Sequence, residues 1–227
     1  MQHINSNSVS HDLTQSQAEV SRVLRNTYWL LSLTLAFSAL TAGIAMAINL
    51  SYGVGIVCSL VALALVWFVL PRTANSAAGL GVVFAFTGLF GAGLGPVIGH
   101  YLAVNGSGVV MQALGGTAFI FLGLSAYALT TRKDFSFMRG FIMIGIMLMI
   151  GCMLLLIGAA LFGYQLQVFS LVFSAGVILL MSALILYQTS EIIHGGERNY
   201  LLATTTLYLT IINIFQSLLH LLGAADD

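Results

Sequence analysis

The chain has 227 residues, 59% of them hydrophobic and only 6% charged, with a mean hydropathy of +1.01 and no formal net charge. A soluble domain carries about 25% charged residues, so this composition excludes a soluble globule and describes a protein embedded in a bilayer. Zero net charge gives no ground for binding nucleic acid, and the two cysteines, Cys58 and Cys152, sit inside apolar runs as small hydrophobes expected to be buried, with neither a disulfide framework nor a Cys-x-x-Cys metal site available.

Residues 1–21 are polar, with few large apolar side chains, and cannot bury enough surface to fold alone. They read as a flexible N-terminal tail, and residues 22–227 as one transmembrane domain. Arg22 and Arg25 precede an apolar run at 28–48, too long for the roughly 7–15-residue core of a signal peptide. It is taken as the first membrane span, and further runs at 52–70, 78–98, 109–130, 141–162, 167–189 and 201–222 bring the number to seven. No run shows the alternation of a barrel strand, so the fold class is an all-α membrane protein with seven transmembrane helices.

Placing the N-terminus inside puts Arg22, Arg25, Arg72, Arg132, Lys133, Arg139 and Arg198 on the inner side. These are all the basic residues in the chain, so the positive-inside rule is met throughout. The tail is then inside and the C-terminal Gly-Ala-Ala-Asp-Asp outside. A re-entrant last segment would instead return Asp226 and Asp227 to the cytoplasm. In the third span, Gly91-x-x-x-Gly95 and Gly95-x-x-x-Gly99 are small-xxx-small pairs that let helix backbones approach, and Pro96 is expected to bend or end that helix.

Polar chemistry gathers late in the chain. Tyr187 to Arg198 contains Gln188, Glu191 and His194 at three-residue steps, then Gly195-Gly196, suited to a helix C-terminus, and Glu197, a ready partner for Arg198. The last apolar run repeats Thr206, Thr210, Asn213, Ser217 and His220 along one helical face. A helix with a continuous polar face is costly to turn toward lipid, so this one belongs near the bundle axis. The residues leave two readings open: a hydrated interface with hydrogen bonds between helices, or the polar lining and inner gate of a pore. His194-Gly-Gly-Glu197 is not a zinc motif, because the glycines break the helix that such ligands share. Hydrolase, P-loop and aspartyl-protease residues are lacking, which argues against an enzyme and implies no cofactor.

Four segments carry a resemblance: Val23-Leu-Arg-Asn-Thr-Tyr28, Gly95-Pro96, Ser125-Ala-Tyr-Ala-Leu-Thr-Thr-Arg-Lys-Asp-Phe-Ser-Phe137 and Ile193-His-Gly-Gly-Glu197. Over roughly residues 22–224 the chain resembles the Bax inhibitor-1 family, most closely its bacterial YccA branch. The resemblance implies six helices surrounding a central C-terminal seventh. Family members that leak calcium are described as using two aspartates as a pH-responsive latch, but here Gln188 and Thr210 stand at those positions. Neither titrates near neutral pH, and calcium, which favours six to eight oxygens usually including carboxylates, finds mainly neutral ones. The branch implies a different function, binding and modulation of an FtsH-type membrane AAA protease that engages the N-terminal tail. A Ca²⁺ or H⁺ leak is the alternative.

Overall fold

Long apolar runs separated by short polar breaks become seven helices joined by tight connections. The computed structural model describes the backbone of residues 6–226 and the side chains of residues 18–225, and all regular structure in it is helical. The helices are α1 (Ser6–Ala47), α2 (Tyr52–Thr73), α3 (Ala77–Val104), α4 (Gly106–Thr131), α5 (Met138–Leu161), α6 (Gln167–Ile193) and α7 (Tyr200–Asp226). Each is long and apolar enough to cross a membrane, the apolar part of α1 being Ala18–Ala47. Because α7 is one unbroken helix, its length is that of a full span and not of a re-entrant turn. Of the tail expected at 1–21, residues 1–5 lie outside the described residues; from Ser6 the backbone is already the opening of α1.

Burial grades the helices. In α7, 56% of the most apolar stretch is buried, against 17% in α2 and 6% in α5. α7 packs substantially on α1, α3, α4 and α6, whereas α2 packs on α3 and α5 on α6. The expected ring of six around one is therefore refined: four helices line α7, and α2 and α5 lie farther out. Their outer position also explains why Cys58 on α2 and Cys152 on α5 are free and half-buried, not fully buried as expected.

The tightest packing joins α1, α2 and α3 through glycine. A Cβ at Gly95 would meet Ala45 Cβ at 2.6 Å and Ala42 O at 2.9 Å, and one at Gly91 would collide with Ser38 and Thr41. This is the close approach expected of the first small-xxx-small pair. Gly99 differs, its nearest neighbour being Met46 at an ordinary 3.8 Å. Of the two effects expected of Pro96, a bend or an end, it does not end the helix, since α3 continues to Val104. Its ring seats on α2 at Gly55, where a Cβ would meet Pro96 Cγ and Gly93 O at 3.2 Å. A neighbouring helix packed this closely is the setting in which a membrane helix tolerates an internal proline. A second proline, Pro71, follows a π-helical stretch at Leu65–Val69, in which Leu70 N reaches back to Leu65 O.

The two glycines give a paired expectation. Gly95→Leu overpacks the α1–α3 contact and should lower stability in detergent by about 1–3 kcal/mol or more. Gly99→Ala should stay within roughly 0.5 kcal/mol of the parent in the same thermal-melt assay.

Candidate functional site

At the end of the bundle that carries the basic residues, three connections are fastened together. Helix α6 ends after Ile193 and is closed by Gly195 in the left-handed region (φ 76°), with Gly196 N and Glu197 N both donating to Glu191 O at 2.8 and 3.1 Å. This is the turn the paired glycines predict. The Glu191 carboxylate lies over Gly196, 2.5 Å from where a Cβ would stand. The expected Arg198–Glu197 pair is not formed: Arg198 Nε donates to Gly195 O at 3.3 Å, while Glu197 Oε1 accepts from Asn199 N at 2.8 Å. His194 is exposed, and its Nδ1 donates to Ser190 O at 2.9 Å.

Asn199 is the fastener, and it went unnoticed in the sequence. Its Oδ1 accepts from Leu201 N and Leu202 N at 2.9 and 3.3 Å, capping α7, while its Nδ2 donates to Ala74 O and Asn75 Oδ1, both at 3.0 Å, on the α2–α3 loop. An Asn just before an apolar run is an N-cap signal, so the first half of this role was readable. Ser190 does the equivalent on the other side. Its hydroxyl accepts from Phe135 N at 3.0 Å and donates to Lys133 O at 3.2 Å, docking the α4–α5 loop on the end of α6. Within that loop Asp134 Oδ1 accepts from Ser136 N at 2.8 Å, and this backbone donor is the main reason its carboxyl lies below its ordinary pKa. A groove of about 340 Å³ opens at this end between Glu19, Arg22 and Val23 of α1 and Ile192, Gly195, Glu197 and Arg198 of the α6–α7 turn.

Two residues of the stripe on α7 bond carbonyls of their own helix. Thr210 Oγ1 donates to Thr206 O and Asn213 Nδ2 to Leu209 O, both at 2.7 Å. Thr206 and Asn213 are half-buried, and Ser217 is buried. At the opposite end His220 Nδ1 lies 2.9 Å from Ser174 Oγ on α6. That hydroxyl donates to Ser170 O at 3.0 Å, so it accepts from an Nδ1–H of His220. The selected residues thus occupy two ends: Gln188, Glu191, His194 and Glu197 at the basic end, and His220 about 30 Å away by helical rise from Tyr200. Gln188 is buried at 7% exposure, and where the acidic latch would titrate the chain presents this amide and a hydroxyl bonded within its own helix.

Besides the His220–Ser174 bond, the bonds that anchor α7 across the bundle come from residues off the stripe. Tyr208 is fully buried; its hydroxyl lies 2.6 Å from Ser38 Oγ on α1 and donates to Thr87 O on α3 at 3.4 Å. Its ring meets Phe86 and Phe90 edge-on at 5.3 and 6.4 Å. Thr204 Oγ1 donates to Tyr200 O at 2.7 Å and reaches Thr27 O on α1 at 3.3 Å. A tyrosine in an apolar run is indistinguishable from core in a sequence, which is why its polar half was missed. Among the described residues no group of three His, Cys, Asp or Glu side chains is placed to hold a metal ion. The arrangement positions helices and offers a groove.

Comparison with known proteins matches residues 20–227 to the family model described as "Inhibitor of apoptosis-promoting Bax1". A Pseudomonas aeruginosa protein of uncharacterized function is 49% identical over 93% of this chain and 94% of its own length. A protein of Escherichia coli K12 named "Modulator of FtsH protease YccA" is 48% identical over 96% of this chain and 97% of its own. An uncharacterized membrane protein of Vibrio cholerae is 45% identical over 92% of both.

Two substitutions separate the anchors. Asn199→Ala should lower stability by at least the ~1 kcal/mol typical of a lost N-cap, and it should raise protease sensitivity in the α2–α3 loop. Tyr208→Phe keeps the ring but leaves the Ser38 hydroxyl without its partner, and a thermal melt should register about 1–3 kcal/mol of lost stability.

Proposed function

The chain belongs to the Bax inhibitor-1 family, and on that premise we propose that it is a non-enzymatic, multi-pass protein of the bacterial inner membrane that binds an FtsH-type membrane AAA protease and moderates its action on other membrane proteins. The observation that carries this reading is the 48% identity, spanning 96% of the chain, to the Escherichia coli protein named as a modulator of that protease. Agreement over nearly the whole length covers both the bundle and most of the segment that precedes it.

Physical arguments support the same reading. The basic residues gather at one end, so the positive-inside rule directs that end, with the N-terminal segment, to the cytoplasm and leaves the C-terminus periplasmic. Residues 1–21 serve as the handle: a polar segment that makes no core of its own opens under pulling at little cost. The bundle resists behind it, because α1 is packed on α3 through glycine contacts that admit no gradual slippage. A substrate that is easily gripped but slowly extracted occupies the protease and so limits its turnover of competitors. A cation leak along α7 is not favoured, since Gln188 and Thr210 supply no titrating pair and the stripe hydroxyl at Thr210 is engaged within its own helix.

Deleting residues 2–20 should lengthen the half-life in a pulse-chase in cells that contain the protease, and the full chain should co-purify with the protease from native membranes. A half-life unaltered both by the deletion and by loss of the protease would overturn the proposal.

A further inference from the structure

At the end of the bundle opposite the basic residues, α3, α6 and α7 surround a cavity of about 200 Å³. Its polar lining comes from His100 on α3, Asn105 at the α3–α4 junction, Gln167 at the start of α6 and His220 on α7. The chain has five histidines, and two that are far apart in sequence meet at this one cavity. The helices that carry them are fastened to each other there. Asn105 Nδ2 donates to Gly223 O at 3.1 Å, which ties the last turns of α7 to the end of α3.

His220 is held in one tautomer. Its Nδ1–H goes to Ser174 Oγ at 2.9 Å, and Ser174, buried at 6% exposure, passes the bond on to Ser170 O at 3.0 Å. The proton on Nδ1 leaves Nε2 with its lone pair, and Nε2 has no hydrogen-bond partner among the described residues. Imidazoles that ligate metals are oriented in this way, their remote N–H held by a second group of the protein. His100 is exposed, and the rings of Tyr52 on α2 and Tyr101 stand edge-on to it at 6.3 and 5.9 Å. These contacts steady the ring and occupy neither of its nitrogens.

We infer that this cavity is a binding site for a divalent transition-metal ion of the zinc kind, ligated by the imidazoles of His100 and His220, with the remaining coordination positions supplied from outside the protein. Imidazole nitrogen suits zinc, nickel and copper, whereas calcium takes oxygen ligands, and among the described residues no carboxylate lines the cavity. Two protein ligands make an open site, unlike the closed four-ligand sites that hold a structural zinc. An ion here joins α3 to α7 and so stabilises the folded bundle. The site lies at the opposite end from the segment that the proposed function uses, and it stands or falls separately from that function.

Calorimetric titration with Zn²⁺ tests it, at about pH 7.5, where imidazole is mostly neutral. The full chain is used, purified without a histidine tag and with His3 and His11 replaced by Gln, so that the N-terminal histidines do not compete. One ion should bind per chain, and the melting temperature should rise with zinc. His220→Asn keeps a donor toward Ser174 but lacks Nε2. It and His100→Asn should each weaken binding by more than the roughly tenfold that loss of an outer-shell partner costs, while a melt without zinc shows that both variants fold. His194→Asn, at the basic end, should leave binding unaltered. Absence of zinc binding, binding undiminished by His100→Asn or His220→Asn in a folded chain, or a loss that follows His194→Asn instead would overturn the site. Displacement of zinc by calcium would overturn the assignment to imidazole ligands.

Discussion

A hydroxyl buried in hydrocarbon has no water to turn to, and that constraint organises this bundle more than apolar packing does. Lipid tails satisfy a leucine as well as another helix does, so apolar side chains give the helices little reason to choose one another. Close backbone contact and polar pairing make the choice. Tyr208 joins α7 to α1 through Ser38 and to α3 through Thr87, while the glycines of α3 bring α1 near enough for that geometry to exist. Where a hydroxyl can bond a carbonyl of its own helix, as Thr205 and Thr210 do, it contributes no such preference.

The distinction between self-satisfied and cross-linking polar groups explains what could be read in advance. The seven spans were legible because membrane thickness dictates their length, and the basic residues marked one end. The phase of the α7 stripe was legible as periodicity, but periodicity does not say whether Thr210 bonds its own helix or a neighbour. Tyr208 and Asn199 escaped notice because their importance lies in partners distant in the chain, Ser38 and Ala74. Of the two effects expected of Pro96, an end to the helix does not occur, and its ring seats against Gly55 of another helix, a neighbour the sequence alone does not reveal.

The region from Tyr187 to Arg198 attracts attention as a seat of chemistry and turns out to be a joint. Gly195 reverses the chain, Ser190 holds the α4–α5 loop and Asn199 holds the α2–α3 loop. Glu197 and His194 bond backbone groups, and Glu191 lies over Gly196. Under the proposed function, a protein so built would act through its shape and its resistance to being taken apart.

The order in which the helices emerge gives α7 a further meaning. The most buried span is also the last of the seven to be synthesised, so α1, α3, α4 and α6 enter the bilayer before the helix that they enclose. Until it arrives, Ser38 lacks the tyrosine that answers it, and the site on α1 and α3 for Tyr208 stays open. Chains arrested before Tyr200 would thus hold the α1–α2–α3 packing but lack the helix that α1, α3, α4 and α6 enclose.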